Sequence, residues 1–329
     1  MRIGAWRLLL PTACALLLGV ALGRLGTTEQ PTNAQTPAAA SAQAQAPVVP
    51  AGTVAAPAVA APPPFAMSMR IGSNLYLQTS PEYRALCYQT YKSATLRLEA
   101  IVADDKQPDE LVVVMDLDET VFDNSAFQTY LYRTNQEYSD ALWANYEENY
   151  GKDVTLVPGA AHFIQMARLM KVNVVFVSNR LQKYQASTVA TMKRLGLDRV
   201  LNHRDLNELM YLKREPIGSE PSAPSEKTTR REQIGARFRI AMLVGDNLRD
   251  FSDVFAKQKK QLPAAPAVAT AQDVLELIDE RKALVDESVA HWGTDWFVLP
   301  NPVYGEWDRV IKVDPIELMH KTSMPVGAR

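Results

Sequence analysis

Three short apolar runs, each stopping at residues that can do chemistry, constrain this chain more than any other feature. Leu111-Val112-Val113-Val114-Met115 runs directly into Asp116-Leu117-Asp118-Glu119-Thr120. Val172 to Val177 ends at Ser178-Asn179-Arg180, and Ile240 to Val244 ends at Gly245-Asp246-Asn247, with Asp250 just beyond. Short β-branched runs without polar alternation suit strands buried on both faces of a parallel sheet. Between them the spacing is helical, over Ala160–Lys171, Lys183–Leu195 and Thr228–Arg237. An earlier helix is expected from Ser80 to about Ala103, where Tyr83, Leu86, Cys87, Tyr91, Ala94 and Leu98 recur at helical intervals. Ser80 is placed to cap it and Pro81 to open it. Strands alternating with helices predict an α/β fold built on a doubly wound parallel sheet, with a smaller helical subdomain. Ligands of such sheets bind at the carboxyl ends of the strands, so Asp116, Asp118, Ser178 and Asp246 are expected to converge.

Those residue types suit phosphoryl transfer. Side chains alternate along an extended segment, so Asp116 and Asp118 can point the same way from a strand end. Asp246 adds a third acidic group, and carboxylates crowded together repel unless a cation sits among them. Oxygen-only ligands favour Mg²⁺. A metal there would offset a phosphate's charge and leave Asp116 placed to attack phosphorus. Asp118 is then the candidate to protonate the leaving alkoxide and to activate water afterwards. The hydroxyls of Thr120 and Ser178, with Asn179 beside the latter and the Lys227 ammonium, are candidates to hold the phosphoryl oxygens. Asp250 is assigned a supporting place around the metal.

These segments resemble the four motifs of the haloacid dehalogenase superfamily: Asp116-x-Asp118-x-Thr120 the first, Ser178 the second, Lys227 the third, Gly245-Asp246-Asn247 through Asp250 the fourth. More narrowly, the chain is similar to its subfamily IIIB, the class C bacterial acid phosphatases, which are often outer-membrane lipoproteins. Gln78 to Tyr83, Asp123-Asn124-Ser125, Lys227 to Arg231, and Val298 to Trp307 carry the likeness, which covers roughly residues 70–312. The resemblance implies hydrolysis of phosphomonoesters, often nucleoside 5′-monophosphates, through an aspartyl-phosphate. It also implies Mg²⁺ held by the Asp116 and Asp246 carboxylates and the main-chain carbonyl of Asp118.

Each signal has a plainer alternative. Asp-Glu-Thr often caps a helix, Ser178 would serve as a cap, and Glu226-Lys227 with Arg230-Arg231 would serve as a solvated charge run. Order along the chain and placement after strands favour the catalytic reading. Tyr130, Tyr132, Tyr138, Trp143, Tyr146 and Tyr150 cluster between the first two motifs. Trp143 and Tyr304 are the candidates for stacking on a nucleobase; packing into a core is the alternative for both. Two-metal phosphoesterases need histidines beside their aspartates, and His162, His203, His291 and His320 are scattered and outside any motif. A formal charge of -2 supplies no electrostatic reason to bind a nucleic-acid polymer.

The N-terminus carries a different message. Arg2 and Arg7 precede an apolar run from Leu8 to Leu22, with small residues Ala21 and Gly23 around a cut, so residues 1–23 read as a secretory signal. Residues 24–69 are rich in Ala, Pro, Gln and Thr and read as a disordered tether, with the phosphatase domain spanning 70–329. Export, with a periplasmic location, is the expectation; an uncut signal would tether the protein to the inner membrane. Cys14 sits inside the apolar run in a poor lipoprotein context, and Cys87 alone cannot form an internal disulfide. Tyr211–Ser225 and Lys257–Ala269 are expected to be proline-bearing loops.

Overall fold

A parallel sheet with order β5-β4-β1-β6-β7 places the chemistry-bearing strand ends side by side. The computed structural model describes residues 64–203, 205–214, 227–256, 262, 269–308, 311 and 313–319. Helices α1 (Pro64–Thr79) and α2 (Pro81–Asp104) lead into β1 (Leu111–Met115). A short antiparallel ribbon, β2 (Phe122–Asp123) with β3 (Thr155–Leu156), brackets α3 (Ser125–Thr134) and α4 (Asp140–Asn149). Then come α5 (Ala160–Leu169), β4 (Asn173–Leu181), α6 (Gln185–Arg194), α7 (Leu197–Leu201), β5 (Met210–Lys213), α8 (Thr228–Gly235) and β6 (Arg239–Gly245). α9 (Ala271–Glu287), β7 (Trp296–Val298) and α10 (Pro315–Leu318) complete the order.

β1 is buried at every position, as its run of β-branched residues requires of a central strand. Its Leu111, Val113 and Met115 join a core with Tyr83, Cys87 and Leu98 of α2 and Phe163 and Ile164 of α5. Val112 and Val114 face the opposite core, with Ile234 of α8, Phe251 and Phe255. Helices therefore cover both faces of the sheet, and burial of both sides supplies its main stabilisation. The cap of α2 forms as its sequence dictates: Ser80 Oγ accepts the Tyr83 N–H at 3.1 Å, ahead of Pro81 at the first helical position.

Three features differ from the reading of the sequence. The helical part begins at Pro64, inside the stretch assigned to a tether, whereas the leader 1–23 and residues 24–63 lie outside the described residues. α1 escaped detection because it docks on α3 through amide–hydroxyl contacts rather than an apolar stripe. Asn74 donates to Thr129 Oγ1 at 3.0 Å, and Gln78 donates to Ser125 Oγ and Thr129 Oγ1, both at 3.1 Å. Tyr211 to Lys213 belong to β5, not to a loop, because Arg230 and the ladder with β4 fix them in the sheet. β4 outruns its apolar segment by continuing to Leu181, with a register shift between Ser178 and Leu181. Of the two expected loops, 215–226 and nearly all of 257–268 lie outside the described residues.

Candidate active site

The ends of β1, β4 and β6 open onto a cavity of about 760 Å³ whose walls include Asp116, Asp118, Asn179, Lys227, Asp246 and Asp250. Its other side is built by the helical insertion and the loop after β7, with Tyr132, Tyr138, Trp143, Glu147 and Tyr304. The convergence expected from the strand order is present.

Asp116 follows β1 directly, and its N–H donates to Val244 of β6 at 2.9 Å, which locks the residue to the sheet. The Lys227 ammonium contacts Asp116 Oδ1 and, at 2.7 Å, Asp250 Oδ1. All three are buried. Burial raises the Asp116 carboxyl well above the usual range; Lys227 pulls it down, and Asp250, Asp246 and Asp118 push it up again. Lys227 is held protonated by Asp116 and Asp250 against the opposing effect of burial.

Asp246 stands at the end of β6, where Thr120 Oγ1 donates to its Oδ1 at 3.1 Å and Asn301 Nδ2 donates to its Oδ2 at 2.8 Å. Desolvation, then the neighbouring Asp250 charge, raises its carboxyl to about 7. Oxygens of Asp116, Asp246 and Asp250 lie within 4.8 Å of one another. Three carboxylate oxygens this close fit a hard divalent cation. Asp250 is already occupied on both oxygens: Oδ2 accepts the Asn247 N–H at 2.9 Å, and Oδ1 meets Lys227. Asp246 is likewise met on both oxygens, and Lys227 ties Asp250 to Asp116. Gly245 is dictated here, since a Cβ on it would stand 2.4 Å from Asp250 Oδ2 and 2.5 Å from Asp250 Cβ.

Asp118 takes a different direction. Its carboxylate is not part of the acidic cluster; Oδ1 meets Arg180 Nε at 2.9 Å and Nη2 at 2.8 Å, and accepts from Asn124 Nδ2 at 2.9 Å. Between the two aspartates and β2 the chain turns sharply, with Glu119 at φ 54° and the N–H groups of Thr120, Val121 and Phe122 all aimed at Leu117 O. Tyr91 of α2 braces that turn by donating to Thr120 O at 2.5 Å.

Thr120 and Ser178, expected near the phosphoryl oxygens, sit behind the carboxylates. Thr120 and Ser178 are both wholly buried and outside the cavity wall. Thr120 spends its hydroxyl on Asp246, and Ser178 Oγ donates to Asp118 Oδ2 at 3.4 Å while accepting the Arg180 N–H at 3.1 Å. Each hydroxyl thus donates to a carboxylate of the site. Asn179 and Lys227 do face it, and Asn179 Oδ1 is held by Arg230 Nη2 at 2.7 Å. Trp143 lines the cavity and packs edge-on to Phe127 at 5.2 Å. Tyr304 likewise lines the cavity while resting on the main core, its N–H donating to Asn301 Oδ1 at 3.3 Å.

Arg180, Arg230, Asn124, Asn301 and Glu147 were not singled out as site residues by their sequence positions. Arg180, Arg230, Asn124 and Asn301 lie in the motif segments, but only contacts across the fold distinguish them from ordinary surface groups.

A family model described as HAD superfamily, subfamily IIIB (acid phosphatase), matches residues 40–307. The chain belongs to this family and is an acid phosphatase, a hydrolase of phosphoric monoesters. Two solved structures of the class C acid phosphatase from Bacillus anthracis are similar in fold, one of them with tungstate bound. Each has a TM-score of 0.58 and 24% sequence identity, covering 78% of this chain and 92% of the other.

Proposed function

We propose that the chain hydrolyses phosphomonoesters by transferring the phosphoryl group to Asp116, and that nucleoside 5′-monophosphates are its substrates. One observation carries this reading: Asp116 faces the cavity from a central strand end, with Lys227 on one oxygen and Asp246 close by. An Asp116 oxygen attacks phosphorus, the ester bond breaks, and Asp118 gives its proton to the departing alkoxide. Asp118 then takes a proton from water, which cleaves the aspartyl-phosphate and releases phosphate. Lys227 and Asn179 are placed for the phosphoryl oxygens. Asp116 and Asp246, with the Asp118 carbonyl, would hold Mg²⁺, which supplies positive charge against the phosphate. Tungstate, an oxyanion, occupies a relative of the same fold, in keeping with an anion site. A cavity of about 760 Å³ leaves room for a nucleoside beside the phosphate, with Trp143 and Tyr304 as its aromatic walls.

The leader read from the N-terminus supports export to the periplasm as part of this proposal. Among the described residues no helix is long and apolar enough to cross a membrane.

Asp116→Asn tests the mechanism directly. An amide cannot form the aspartyl-phosphate, so turnover of AMP should fall more than about 1,000-fold with the unfolding temperature kept. EDTA should silence the wild type and Mg²⁺ restore it. Turnover near the wild-type rate in Asp116→Asn would sink the proposal.

A further inference from the structure

The two oxygens of Asp118 are not equivalent. Oδ1 receives three contacts from buried donors, two from Arg180 and one from Asn124. Among the described residues, the one donor to Oδ2 is Ser178, at the limiting distance of 3.4 Å. A carboxylate held this way cannot rotate, and its loosely held oxygen is the one left to exchange a proton.

Arg180 is itself built in from several sides. It is 1% exposed although it follows the apolar part of β4, because strand alternation puts it on the same inward face as Phe176 and Ser178. Its guanidinium lies over the Phe122 ring at 5.0 Å and the Trp143 ring at 5.5 Å, and Nη2 donates to Asn124 Oδ1 at 3.1 Å. Glu147, one turn beyond Trp143 on α4, is also 1% exposed, and its Oε2 accepts the N–H of Leu181 at 3.1 Å. Thus α4 covers one face of the guanidinium and grips the chain immediately after it.

We propose that Arg180, seated by Trp143 and Glu147, is a positioning residue that pins Oδ1 of Asp118 and leaves Oδ2 as the oxygen that gives up the proton. This rests on the reading of Asp118 as the acid. The helical insertion then does more than wall the cavity: it sets the aim of the acid from the far side of the sheet's edge. Arg180 touches neither the metal cluster nor the nucleophile, so its loss should leave attack on phosphorus intact and damage leaving-group protonation.

The test compares kcat/KM on an alkyl phosphate, whose leaving group needs a proton, and on a nitrophenyl phosphate, whose leaving group does not. Arg180→Lys keeps a charge but loses the two-nitrogen grip. It should lower kcat/KM for the alkyl ester by about 100-fold, within the range for general acid catalysis, and that for the aryl ester only a few-fold. Arg180→Ala should show the same pattern and recover part of its alkyl activity when guanidinium ion is added. Glu147→Ala should repeat it more weakly, and Glu147→Gln, which keeps an acceptor for Leu181, should be largely restored. Unfolding temperatures of all four variants separate lost folding from lost aim. Equal losses on both esters, or no rescue by guanidinium in folded protein, overturn the proposal. Asp118→Asn run beside them separates the two claims. If it discriminates between the esters and the Arg180 variants do not, only the positioning role fails; if Asp118→Asn does not discriminate, the acid assignment and the positioning role fail together.

Discussion

Asn301 donates from its side-chain amide to Asp246 Oδ2 at 2.8 Å, tying the loop after β7 to the end of β6. The same side chain accepts the N–H groups of Val303 and Tyr304 at 3.0 and 3.3 Å. One residue therefore couples the orientation of the acidic cluster to the loop that carries an aromatic wall of the cavity.

Asn301→Ala should consequently weaken Mg²⁺ activation by about 10- to 100-fold, the usual effect of removing a group that orients a metal ligand. The half-activating Mg²⁺ concentration, measured on AMP, checks it. An unchanged metal requirement would show that Asp246 keeps its orientation without the amide.

Gly245→Ala drives a methyl group into Asp250, which has no room to retreat because Lys227 and the Asn247 N–H hold its two oxygens. Overpacking of this kind costs about 1–3 kcal/mol. Urea unfolding should show that loss, accompanied by reduced activity as Lys227 shifts. A variant that matched the wild type in both would mean the turn relaxes freely.

Glu147 predicts a pH dependence of stability. Burial raises its carboxyl from 4.5 to about 7, with the nearby Arg180 charge pulling the other way. Between those values the folded protein keeps a proton that the unfolded chain has lost, so this contribution is full below 4.5 and falls as pH rises toward 7. Above that range both states are ionised and no further loss occurs. Glu147→Gln, which cannot ionise, should lack this fall, and the difference between the two proteins should reach at most about 3 kcal/mol. Urea titrations of both at several pH values between 4 and 8 measure it.

The leader predicts that the enzyme recovered from the periplasm starts near residue 24. N-terminal sequencing of cell fractions decides the matter. Full-length protein in the cytosol would overturn export.

Local pattern alone determined a large part of this protein. β1, β4 and β6 were legible because a strand buried on both faces must be apolar without interruption. α2, α5, α6 and α8 were legible because a half-buried helix repeats its apolar residues at its own period. From the order of those elements it followed that Asp116, Asp118, Ser178 and Asp246 would converge; the three aspartates line one cavity, and Ser178 lies behind it on Asp118. Elements held by polar contacts or by single neighbours left no such period: α1 docks through Asn74 and Gln78, and β5 and β7 are short edge strands.

Only the tertiary structure decided which donor each carboxylate receives. The hydroxyls of Thr120 and Ser178 donate to Asp246 and Asp118, at distances set by strands far apart in the chain. Arg180 reads as an ordinary polar residue after an apolar run until β4, continuing past that run, carries it on the inward face onto Asp118. Residue type and spacing determine which elements form and which chemistry gathers. The division of labour among gathered side chains depends on hydrogen-bond geometry of a few tenths of an ångström, and that arises only when separate elements pack.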